Sequence, residues 1–145
     1  MRLLAACWFA HALLAQAIPS PWWVPDVTLV GLVLSVTRSP SRWLLLSWLA
    51  GCSALLWAVR YAAPLMAGAI AVGASVRLLA TAWDAADARI QYLVMGLASG
   101  LMTLGAVWLE ACWSLPILGL AAVHVLLTCL AFAAVRRWLI TTGAG

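Results

Sequence analysis

A chain of 145 residues is the length of one domain, but 67% hydrophobic and 8% charged residues with a mean hydropathy of +1.09 exclude a water-soluble surface, which takes about a quarter of its residues charged. The charge consists of eight arginines and four acids, net +4, and the resulting pI of about 9.3 is read for where the arginines sit relative to a bilayer, with no nucleic-acid partner implied. The expectation is one integral membrane domain over 1–145.

A hydrocarbon layer about 30 Å thick needs about 20 apolar residues at the helical rise. Cutting wherever charge, proline or turn residues gather predicts six apolar segments, at approximately 3–18, 22–37, 43–59, 64–83, 90–109 and 112–135. The first two are short, and the second is stretched on its N-terminal side by Trp22 and Trp23. The connections (Pro19-Ser20-Pro21, Arg38-Ser39-Pro40-Ser41-Arg42, Arg60-Tyr61, residues 84–89 and Glu110) are too short to fold by themselves. Continuous apolar runs argue against a membrane barrel, which alternates polarity. The fold class is therefore all-α, a compact bundle of about six transmembrane helices.

With the N-terminus inside, Arg2, Arg38, Arg42, Arg77, Arg89, Arg136 and Arg137 fall on the cytoplasmic side and only Arg60 outside, so both termini are expected in the cytoplasm. Arg2, the following apolar stretch and Ala15-Gln16-Ala17 also fit a cleavable signal peptide, but a further membrane helix follows, and a retained first span is the simpler reading. Trp22, Trp23, Trp43, Trp83, Trp108, Trp113 and Trp138 lie near predicted span ends, where an amphipathic ring prefers the headgroup level; Trp8, Trp48 and Trp57 do not.

Few residues suggest chemistry. Asp26 follows Pro25 at the opening of the second span, where a carboxylate caps free amides at the positive end of the helix dipole. Its alternative role is in an outer polar cluster with Arg60 and Glu110 that holds a partner's segment. Arg77 lies about one and a half turns inside the fourth span, close enough to the end to snorkel, with pairing inside a bundle as the rival reading. Asp87 is placed to cap the fifth helix. Gly96 and Gly100 form a GxxxG in the fifth span; Ala67, Ala71 and Ser75 give a small-residue face on the fourth, and Gly51 with Ala50 and Ala54 a patch on the third. Cys7, Cys52, Cys112 and Cys129 are scattered singly and read as apolar packing residues, and His11 and His124 stand alone in apolar helices. No nucleophile–base arrangement, paired carboxylates, metal-ligand spacing or phosphate loop is visible, so no enzyme, metal or cofactor is expected.

The layout resembles the bacterial rod shape-determining membrane protein MreD family over residues 3–137, by local motif mainly from Trp22 to Gly51. The features that carry the resemblance are a short first span, a proline-containing outer loop, Pro25-Asp26-Val27-Thr28-Leu29-Val30-Gly31-Leu32-Val33-Leu34 opening an apolar second helix, the turn Arg38-Ser39-Pro40-Ser41-Arg42, and a glycine-bearing third span at Gly51. The chain departs from that pattern in the third span, where Leu55 and Leu56 stand in place of the family's acidic residue, and in Arg60-Tyr61-Ala62-Ala63-Pro64, which replaces a glycine-containing loop. The resemblance implies a non-enzymatic inner-membrane subunit of the cell-elongation machinery. As such it would bind a single-span MreC-like protein and, directly or through it, support RodA and its transpeptidase partner in peptidoglycan synthesis.

Two other readings stay open. The family is similar in fold to the substrate-binding subunits of vitamin transporters, which implies capture of a small molecule near Asp26, Trp57, Arg60 and Glu110. A membrane protein that homo-oligomerises through Gly96 and Gly100 is the third.

Overall fold

The computed structural model describes residues 1–55, 62–83, 87–109 and 114–142. All regular structure among the described residues is helical: α1 (Arg2–Ala17), α2 (Val27–Arg38), α3 (Trp43–Leu55), α4 (Ala62–Ala82), α5 (Ala88–Leu109) and α6 (Leu115–Thr141). Three of these, α4, α5 and α6, are long and apolar enough to cross a membrane, whereas α1 and α2 are apolar but shorter. The six helices match the six expected segments in order.

The second segment differs at its start. Trp22 and Trp23 do not extend α2; they sit in a separate 3-10 turn, Pro21–Trp23, which packs on α6. The reason is Pro25, which lacks an amide hydrogen and disfavours helix at the residue before it, so the chain stays irregular until Asp26 starts the helix. At the other end Pro40 opens a second 3-10 turn, Pro40–Arg42, that leads directly into α3.

Without Trp22 and Trp23, α2 has 12 residues, about 18 Å at the helical rise and well short of a bilayer. It is also the most enclosed element. Every residue from Val27 to Val36 is buried, and α2 touches each of the other five helices. Val30, Val33 and Val36 are wholly inaccessible, and Leu46, Val76, Met95 and Phe132 from the surrounding helices close over the same core. On the far side Tyr92 meets Phe132 edge to face at 5.2 Å, tying α5 to α6.

Between apolar helices without a water-driven force, close packing of small residues does most of the holding. A Cβ built on Gly31 would lie 2.6 Å from the Cβ of Cys7, so α1 and α2 approach as near as their backbones allow. A Cβ on Gly73 would run into Ser47 Oγ, and one on Gly51 would come within 3.1 Å of Met66, which joins α3 to α4. The face of α4 that does this is Ala69, Val72, Gly73 and Val76, all buried at helical spacing. The expected small-residue face of Ala67, Ala71 and Ser75 points outward instead. Ser75 satisfies its hydroxyl within its own helix, on Ala71 O at 2.8 Å, which suits an apolar exterior.

Consecutive helices run antiparallel. Leu4 and His11 face Gly31 and Pro25 across α1 and α2, Trp43 and Gly51 face Arg77 and Met66 across α3 and α4, and Gln91 faces Arg136 across α5 and α6. With that alternation Arg2, Arg38 and Arg42 line one cavity, Arg77 reaches Trp43 next to Arg42, and Arg136 meets Gln91 two residues after Arg89, which gathers the arginines toward one end of the bundle. Tryptophans Trp23, Trp83, Trp108 and Trp138 are exposed near helix ends, and Trp48 is exposed along α3.

Gly31→Ala is expected to destabilise the fold by about 1–3 kcal/mol through overpacking, because Cys7 Cβ is fixed to its backbone and cannot swing aside. Gly96→Ala meets open space and is expected to be neutral or to stabilise by up to about 1 kcal/mol. Thermal unfolding in detergent, followed by helical circular dichroism, compares the two; equal losses would contradict this packing.

Candidate functional site

The end opposite the arginines is built around the start of α2. The Asp26 carboxylate accepts the Leu29 amide at 2.9 Å, the cap its position in the sequence called for. The amide of Asp26 itself donates to Thr128 Oγ1 at 3.0 Å, and Thr128 Oγ1 donates in turn to His124 O at 2.9 Å. Thr128 is fully buried, so one hydroxyl, acting once as acceptor and once as donor, fastens the first turn of α2 to the middle of α6.

Two histidines that stand alone in the sequence meet here. His11 of α1 donates from Nδ1 to Pro25 O at 3.2 Å. His124 of α6 packs edge to face against Trp22, centroids 6.4 Å apart at 87°, and also meets the Trp22 backbone. Asp26 and His11 are both near enough to His124 to act on its ring electrostatically.

Opposite His124, α5 presents Ser99 and Thr103, one turn apart and therefore on one face. With Trp22, Asp26, His124 and Met102 they line a cavity of about 270 Å³ between α2, α4, α5 and α6. His124 Nδ1 and Ser99 Oγ are buried and have no hydrogen-bond partner among the described residues. Buried polar atoms are nearly always paired, so two unmet groups lining one cavity mark it as able to receive a polar group. Among the described residues neither histidine is hydrogen-bonded to a serine, threonine or cysteine side chain; the arrangement can hold and orient a polar group.

The other residues expected to matter are dispersed. Arg77 is exposed and lies over the Trp43 ring, 5.5 Å from its centroid, a cation–π contact at the arginine end in keeping with snorkelling. Among the described residues nothing packs against Gly96 or Gly100; a Cβ on either finds no atom within 4 Å. Asp87 caps α5 through the Arg89 amide at 2.8 Å. Arg60 and Glu110, with Trp57, lie outside the described residues. Cys7, Cys52 and Cys129 are free thiols. The sequence names His11 and His124 only as lone histidines and does not single out Ser99, Thr103 or Thr128, because no linear spacing connects them: Asp26 and Thr128 are 102 positions apart. A hydroxyl or imidazole inside an otherwise apolar span was the only available signal.

Replacing Thr128 by Val removes both hydrogen bonds and leaves the Asp26 amide buried without an acceptor, an expected loss of about 1–3 kcal/mol. Thr128→Ser keeps the hydroxyl and should recover most of that difference in thermal unfolding. Asp26→Ala is expected to cost about 0.5–2 kcal/mol, with Asp26→Asn much closer to the parent.

No protein-family model, no curated protein and no solved structure matches the chain.

Proposed function

We propose that this chain is a non-enzymatic, multi-pass subunit of the bacterial inner membrane, with both termini cytoplasmic, that serves as adaptor or scaffold in the cell-elongation complex. Its direct partner is a single-span MreC-like protein, and RodA with its transpeptidase partner is reached directly or through that protein. The reading rests on the MreD-type layout of the second and third helices and on one observation. The Gly96 and Gly100 ridge is uncovered, while glycines of α2, α3 and α4 are consumed in packing within the chain. In lipid, a small-residue ridge flanked by larger apolar side chains, here exposed Leu93, Leu97 and Leu101, lets a second helix approach closely. The arginine-rich end supports the orientation, since basic residues favour the cytoplasmic side.

The test is co-expression with a tagged MreC-like protein and recovery in mild detergent. Gly96→Leu and Gly100→Leu together are expected to lower recovery of the partner by about tenfold, a loss of about 1.4 kcal/mol, with the variant still folded. Loss of self-association with unchanged partner recovery would overturn this reading in favour of a homo-oligomer.

The polar cavity supports a second reading, a substrate-binding subunit for a small molecule. Its volume of about 270 Å³ lies below the roughly 300–1,000 Å³ of most ligand pockets, which places this reading second. A metabolite retained through purification, detected by mass spectrometry and lost in Ser99→Leu, would bring it first.

A further inference from the structure

At the arginine end a second cavity, about 270 Å³, opens where α1 begins, α2 ends and α3 begins; its walls include Arg2, Ser35, Arg38, Ser39, Arg42 and Leu46. Arginines at this end are expected from topology alone, so the cluster by itself carries no message. Three further features do. Among the described residues none of the three arginines has a carboxylate partner, so three positive charges share one cavity uncompensated. Ser35, only 6% exposed, has a buried Oγ with no hydrogen-bond partner among the described residues, although a helical serine ordinarily bonds back to a carbonyl of its own helix. Lastly, α1 starts at this cavity with no side-chain cap, leaving first-turn amides and the positive end of its dipole directed there.

An unmet hydroxyl, free amides and several guanidiniums together match a tetrahedral phosphate, which takes hydrogen bonds on several oxygens and bidentate contacts from arginine. The volume holds such a group with water, one water occupying about 30 Å³. Leu44 and Leu45, which lie in the chain between the cavity-lining Arg42 and Leu46, are exposed and give the start of α3 an apolar face. A soluble phosphate has no use for such a face; an acyl chain does.

The geometry points to a binding site for the phosphate of an anionic phospholipid, held by Arg2, Arg38, Arg42 and the Ser35 hydroxyl, with its acyl chains along Leu44 and Leu45. The site seats a structural lipid at the junction of the first three helices, at the level where headgroups meet the bundle.

Native mass spectrometry and thermal unfolding of the full chain in neutral detergent test this, with phosphatidylglycerol, phosphatidylcholine and inorganic phosphate as separate additions. Phosphatidylglycerol is expected to be retained and to raise the unfolding midpoint, phosphatidylcholine of the same acyl composition to do neither, and millimolar phosphate not to displace the bound lipid. Arg38→Gln with Arg42→Gln should weaken phosphatidylglycerol binding about tenfold or more; both side chains are exposed, so the fold survives. Ser35→Ala should weaken it severalfold without lowering the stability of the lipid-free protein, since its hydroxyl makes no internal bond. Arg137→Gln, at the same end but outside the cavity, should leave it unchanged. Equal retention of phosphatidylcholine, an equal effect of Arg137→Gln, or displacement by inorganic phosphate would each overturn the assignment, the last in favour of a soluble anion. The comparison of lipids on the parent protein decides the matter even if a variant fails to fold.

Discussion

A helix end buried away from water must find partners for its peptide groups inside the protein, and α2 carries that requirement further than any other element. Its 12 residues begin inside the bundle, where the first turn depends on its neighbours, and end at an exposed Arg38. The Asp26 carboxylate meets the Leu29 amide at the start, and Thr128 of α6 meets the Asp26 amide. At the C-terminal end Ser39 N returns to Ser35 O at 3.0 Å, and Pro40 brings no further amide that needs a partner. The other five helices are arranged around this short one, which has no lipid-facing side of its own.

The same constraint produces the two cavities. Where a short helix stops inside longer neighbours, space remains beyond each end. At the N-terminal end that space is lined by what the cap brings together: Asp26, Trp22, His124 and the hydroxyls of α5. At the C-terminal end it is lined by the arginines that flank the turn into α3 and by the start of α1. The chemical polarity of the bundle, hydroxyl and imidazole at one end and guanidinium at the other, thus follows from the length of α2 and the alternating direction of its neighbours.

Small residues divide into two populations with different uses. Gly31, Gly51 and Gly73 are spent inside the chain, where an added methyl group would collide with Cys7 or Ser47 or crowd Met66. Among the described residues nothing meets Gly96 or Gly100. In an aqueous protein an uncovered apolar ridge would be a liability; in lipid it is simply a surface on which another helix can pack more closely than a lipid chain can. That contrast separates the glycines that hold this fold from those that support an adaptor role.

Composition and the continuity of the apolar runs determined the all-helical class, the number and order of the helices and the gathering of arginines at one end, because these follow from hydrophobic length and helix periodicity. The cap at Asp26 was equally legible, being a local matter of one carboxylate three residues from its amide. The sequence could not say that Trp22 and Trp23 leave the second helix, although Pro25 marks the break in retrospect, nor which small-residue face of α4 turns inward. Only the tertiary structure decided that His11, Asp26, Thr128 and His124 share one corner and that Arg2 joins Arg38 and Arg42. Those meetings depend on how helices cross, and crossing is set by contacts such as Gly31 on Cys7 between residues far apart in the chain, which no periodicity encodes.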